Sequence, residues 1–145
     1  MPQVKSFFKK PEEIVAAIKK AEQKTSGEIK VHIEAHCPKE VMEQAKDIFH
    51  QLHMHELPNK NGVLIYIAVL DHKICILGDK NIDEVVGAGF WNETVYNITQ
   101  HFKQAHFDEG IAKAVLEIGR KLRDYFPYDA TTDTNDLNDD ISYGK

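Results

Sequence analysis

Eight apolar residues in unbroken succession, Val63 to Leu70, constrain this chain more than any other stretch. A charge-free run of that length reads as a strand buried on both faces, and Asn61–Gly62 ahead of it is a turn signal that marks its start. Asp71–His72 is short enough for a hairpin turn into a second strand, Lys73 to Leu77, which closes at Gly78–Asp79. The reversal returns Gly78–Asp79 to the sheet end where Asn59–Asn61 lies, so two polar segments meet at one rim.

Pro11 to Lys24 reads as a first helix: proline suits its first position, Glu12 and Glu13 its positive end, and Lys19, Lys20 and Lys24 its negative end. Ile14, Ala17, Ile18 and Ala21 share a face. Gly27 is expected to end it as a left-handed cap. Glu28 to His36 then alternates Ile29, Val31, Ile33 and Ala35 with Lys30, His32, Glu34 and His36, the pattern of a half-buried strand nearer a sheet edge than the Val63 strand. A second helix is expected from Pro38 to just before Pro58. After the hairpin, Phe90 or Trp91, Val95, Ile98 and Phe102 recur at helical spacing. A last helix, capped by Asp108–Glu109, carries Ile111, Val115, Ile118 and Leu122 and stops at Pro127.

Strand, helix, strand makes the first two strands parallel through a right-handed crossover. Their starts then share one sheet end with the finish of the third. Glu28, Asn59, Asn61, Gly78 and Asp79 converge there, while Glu34, His36, Asp71 and His72 gather at the opposite end. The expected architecture is α/β, a three-layer sandwich with a small mixed β-sheet and helices on both faces.

At 145 residues, 42% hydrophobic and 28% charged, the chain is expected to fold as one domain over residues 1–128 without disulfide or metal staples. An acidic tail, residues 129–145, follows; Ile141 and Tyr143 are placed to tack its end onto the body. Of the net charge of −5, the tail contributes −4, and a nearly neutral body argues against nucleic-acid binding. Cys37 and Cys75 suggest no disulfide framework, and Cys75 reads as a buried thiol. No stretch approaches membrane-spanning length and no signal peptide is recognised, so the expected compartment is the cytoplasm.

Thr25–Ser26–Gly27–Glu28–Ile29 before an alternating strand, Asn61–Gly62–Val63–Leu64–Ile65 opening an apolar one, Gly78 closing the hairpin, Phe102, and Phe107–Asp108–Glu109–Gly110–Ile111 starting the final helix together resemble the TPM domain, over roughly residues 10–127. That family includes thylakoid-lumen proteins implicated in photosystem II repair and bacterial proteins. The resemblance implies an α/β fold, divalent-cation binding, calcium above all, and a weak acid phosphatase activity. Many members of that family are exported or membrane-anchored, whereas neither a signal nor an anchor is expected here. This chain also has Gly78–Asp79–Lys80–Asn81–Ile82–Asp83–Glu84 where many members have a short glycine-rich segment.

Asp79, Asn81 and Asp83 can turn three oxygens toward one point, as the opening of an EF-hand loop does, although Glu84 and Phe90 break the remainder of that pattern. The segment therefore reads either as a helix-capping turn or as a cation site. With Glu28 and Asn61 brought in by the convergence, the expected ligand set is Glu28, Asn61, Asp79, Asn81, Asp83 and Glu84. These hard oxygens suit Ca2+, or Mg2+, rather than zinc. His50, His53 and His55 lack a converging third ligand and read as exposed residues near a helix end. No phosphate loop, nucleophile elbow or cysteine-phosphatase signature occurs. A phosphomonoesterase would work through a metal-held water, with Ser26, Glu28 and Asp79 as participants. In the tail, Asp129, Asp133, Asn135 and Asp136 offer either a solvating terminus or a second, weak calcium site. The alternative class is a metal-independent interaction module that binds a protein partner.

Overall fold

Pro11 opens the first helix, α1 (Pro11–Glu22), and its Ile14, Ala17, Ile18 and Ala21 are all buried. The structure, a computed structural model, describes residues 7–87, 89–128 and 140–144. Strand β1 (Glu28–Glu34) follows, then α2 (Val41–Gln51), a short 3-10 turn (Met54–Glu56), and the hairpin of β2 (Gly62–Ala68) and β3 (Lys73–Gly78). Three helices succeed it, α3 (Lys80–Val86), α4 (Asn92–Lys103) and α5 (Phe107–Arg123), before a two-residue strand, β4 (Ser142–Tyr143).

The sheet runs β3-β2-β1-β4. β1 is parallel to β2, with Glu28 beside Gly62 and Val31 beside Ile65, and β2 is antiparallel to β3. β4 is parallel to β1. Ile29, Val31, Ile33, Val63, Ile65 and Ile67 pack against α1, α4 and α5, while Leu64, Tyr66 and Ala68 pack against Ala45, Ile48 and Phe49 of α2. Period-2 alternation thus feeds two cores, one on each face, and the mixed sheet with helices on both sides is the α/β sandwich that the sequence pattern implied.

Four local expectations change. β1 is buried along its whole length, because Gln44 of α2, Tyr66 of β2 and the segment 140–144 meet its polar side chains and β4 pairs with its outer edge. The second helix starts at Val41, where the Glu40 side chain caps it by accepting from Met42 N at 2.5 Å. The glycines with positive φ are Gly87 and Gly89, not Gly27. Gly27 is needed for close approach instead, since a Cβ there would stand 2.9 Å from Leu122 Cδ1. Finally, Asp108 does not cap its own helix. Its Oδ2 accepts from Lys9 N and Lys10 N at 2.8 and 3.1 Å, tying α5 to the start of α1.

Candidate functional site

At the rim the polar segments meet through the backbone. Glu28 N donates to Asn61 O at 3.1 Å, Asp79 N to Gly62 O at 2.9 Å, and Asn81 N to Lys60 O at 3.2 Å. The side chains have occupations of their own. Asn61, 3% exposed, donates its Nδ2 to Ser26 O at 2.8 Å, and Asn81 donates to Asn59 O at 2.7 Å. Asp79 caps α3 through Oδ1, which accepts from Lys80 N at 2.7 Å. Its other oxygen, Oδ2, is buried and accepts no hydrogen bond among the described residues.

One turn further along α3, Asp83 stands beside Asp79. Partial burial first, and then the Asp79 charge, push its carboxyl above the usual range. The two carboxylates border a hollow that Lys46, Phe49, His50, Leu77 and Gly78 also line. Asn81, Asp83 and Glu84 are exposed. Glu28 is buried and lies across β2: it is the register partner of Gly62, whose other neighbour is Asp79. Two strand spacings, about 10 Å, therefore separate the two backbones. Among the described residues no three His, Cys, Asp or Glu side chains stand together as a metal cluster. Asp129, Asp133, Asn135 and Asp136 lie outside the described residues.

Of the histidines near the end of α2, His50 and His53 are exposed, as expected, and His55 is half-buried. His50 and His55 stack with centroids 4.0 Å apart, and His53 Nδ1 meets Glu56 Oε2 at 2.7 Å. At the far sheet end His36 Nδ1 and Asp71 Oδ1 lie 2.9 Å apart, and Asp71 Oδ2 accepts from Cys37 N at 2.6 Å. Those two bonds hold the Asp71 carboxyl below its usual range and clamp the hairpin turn to the end of β1. Burial pushes the Cys75 thiol up to about 11, so it is an unreactive core group.

The densest polar constellation was not legible in the alternation of β1. Lys30, His32 and Glu34 look like a solvated face, yet they are 7%, 5% and 5% exposed. Glu34 Oε2 accepts from Tyr66 OH and, at 2.9 Å, from Gln44 Nε2, while Oε1 lies 2.9 Å from His32 Nε2. His32 Nδ1 lies 2.7 Å from Ser142 Oγ, and Lys30 Nζ donates to Asp140 O at 2.8 Å. Burial holds the His32 imidazole below its ordinary 6.5, against the opposing pull of Glu34.

That shift has a sign. Between pH 6.5 and the folded value, the unfolded chain binds a proton at His32 that the folded chain does not. Stability is therefore expected to fall on acidification through 6.5, by up to about 1.4 kcal/mol per pH unit from this group. Urea midpoints measured at several pH values for wild type and His32→Asn check it: the variant should lose part of the acid slope, and an unchanged slope would refute the assignment.

An α/β sandwich with an acidic loop at the head of a short helix and a buried polar edge on its first strand defines a small mixed-sheet domain. The TPM domain model matches residues 6–121, and the chain belongs to that family. It is similar, at 39% identity and a TM-score of 0.86, to the NMR structure of the BA42 protein from the psychrophilic bacterium Bizionia argentinensis. That match covers 99% of this chain and 97% of the other. No curated protein matches the chain. No helix among the described residues is long and apolar enough to cross a membrane.

Proposed function

We propose that this TPM domain binds a divalent cation, Ca2+ ahead of Mg2+, at the rim formed by Glu28, Asn61 and the loop Asp79–Glu84. The observation that carries the reading is the Asp79–Asp83 pair. Two carboxylates repel across one helical turn, and one of their oxygens is buried with no donor among the described residues. A hard cation relieves both conditions at once, adding positive charge to that of Lys46 beside the pair and giving Oδ2 a partner. Asn81 and Glu84 sit on the same short helix, while Asn61 lies just before β2 and Glu28 opens β1, two strand spacings from Asp79. A weak acid phosphatase activity goes with this reading, the cation stabilising charge on the transferring phosphoryl group of a phosphorylated substrate.

An amide NMR titration with Ca2+ after chelator stripping, with Mg2+ in parallel, tests the site. Saturable shifts centred on Asp79–Glu84 and reaching Asn61 and Glu28 are expected. Asp83→Asn, which leaves the Asp79 cap in place, should weaken binding at least tenfold. Shifts confined to the acidic tail, or none, would overturn the proposal.

A second reading, a metal-independent interaction module, is favoured by the edge of β3. Among the described residues no strand pairs with its outer side. Since Asp79 N points toward β2, alternate residues Ile74, Ile76 and Gly78 direct their backbone groups outward, beside a groove lined by Met42, Trp91 and Tyr96. An extended protein segment adding there would bind equally well with and without chelator.

A further inference from the structure

Ser142, His32 and Glu34 form a continuous chain of hydrogen-bonding atoms across β4 and β1. Ser142 Oγ lies 2.7 Å from His32 Nδ1, and His32 Nε2 lies 2.9 Å from Glu34 Oε1. Glu34 is an acceptor here, since Tyr66 OH and Gln44 Nε2 both donate to its other oxygen. The hydrogen of a neutral imidazole therefore belongs on Nε2, directed at Glu34, which leaves a lone pair on Nδ1. Facing that lone pair, the Ser142 hydroxyl donates. This is the arrangement that activates a serine: a base within reach of the hydroxyl, oriented in turn by a carboxylate.

The surroundings hold it in place. Lys30 Nζ on Asp140 O and Gly144 N on Ile33 O, both at 2.8 Å, fix the backbone on either side of Ser142. Gly144 lies so close over the pair that a Cβ there would stand 2.5 Å from Glu34 Oε1 and 2.9 Å from His32 Nε2. His32 and Glu34 are buried, whereas Ser142 is half-buried on the last strand of the sheet.

We propose that Ser142 is a nucleophile for acyl transfer, with His32 as its general base and Glu34 as the positioning residue, and that it takes small activated carboxylic esters. Ser142 Oγ attacks the carbonyl carbon while its proton passes to His32 Nδ1. The tetrahedral intermediate expels the alkoxide, which takes that proton, leaving acyl-Ser142. Water then attacks the acyl group, giving its proton to His32 Nδ1, and the carboxylic acid leaves as the proton returns to Ser142 Oγ. The relay shares no residue with the rim site, so the proposal stands apart from cation binding.

A fluorophosphonate probe and p-nitrophenyl acetate test it on the full chain, with peptide mass mapping of the labelled residue. The chain has three serines, Ser6, Ser26 and Ser142, so mapping is unambiguous. Labelling at Ser142 and ester hydrolysis indifferent to chelator are expected, both abolished in Ser142→Ala. Glu34→Gln keeps the shape of the side chain but can present an N–H to His32 Nε2, moving the imidazole hydrogen to Nδ1 and removing the base. It should lower the rate at least a hundredfold while the NMR spectrum stays folded. No labelling of Ser142 in the folded protein, or hydrolysis that survives Ser142→Ala, would overturn the proposal and leave the cluster as an anchor for β4.

Discussion

Glu34→Ala is expected to destabilise the protein by about 3–5 kcal/mol, because it strips a buried network of its shared acceptor. Three groups lose their partner together: the Tyr66 hydroxyl, the Gln44 amide and the His32 ring N–H. Each is on a buried residue, and a buried donor left unmatched costs about 1–3 kcal/mol. The loss reaches further than the cavity, since His32 is also what meets Ser142 on β4. Urea unfolding of wild type and variant would measure it, and a loss below about 1 kcal/mol would mean that water replaces the carboxylate without penalty. The amide signals of Ser142 and Tyr143 should shift in the same variant, reporting release of the strand that covers the edge of β1.

Ile65→Ala is expected to cost about 2–5 kcal/mol through the opposite mechanism, loss of packing with no polar group involved. Ile65 has no exposure, sits midway along β2, and is flanked by Val31 on β1 and Ile76 on β3. Its side chain joins the cluster that α1 and α5 close from outside. A strand held in register on both sides has little freedom to collapse into the space, so the upper half of that range is expected. Tyr96→Ala provides the contrast. Tyr96 is 62% exposed, and its truncation should change stability by less than about 0.5 kcal/mol. The same denaturation experiment reads both; equal losses would mean that β2 is not the centre of the core.

Much of the fold was legible because the informative signals are local. The Val63–Val69 part of the apolar run, the Ile29–Val31–Ile33 alternation and the Ile111–Val115–Ile118–Leu122 spacing report which residues face a core, and the structure places them there, whereas Leu70 falls in the turn. The meeting of Glu28, Asn61 and Asp79 at one rim followed from strand direction, and their backbones do meet. What those side chains do there was less accessible. A capping aspartate and a cation ligand have the same sequence, and the cap at Asp79 becomes visible only when Lys80 N is seen to donate to it. Asp108 shows the same ambiguity in reverse: at the head of α5 it looks like a cap, but its partners are Lys9 and Lys10, far away in the chain.

By itself the sequence determined the order of the longer elements, the parallel and antiparallel pairings of β1, β2 and β3, and the division of apolar residues into helix and strand faces, since periodicity and turn chemistry act over a few residues; the short α3 and β4 were not among the expected elements. Only the tertiary structure decided that Lys30, His32 and Glu34 are interior. Whether a polar residue is buried depends on whether partners exist to satisfy it. Here they come from Gln44 on α2, Tyr66 on β2, and Asp140 and Ser142 at the end of the chain. No periodicity within β1 reports groups so far along the sequence, and without them the same three side chains would face water.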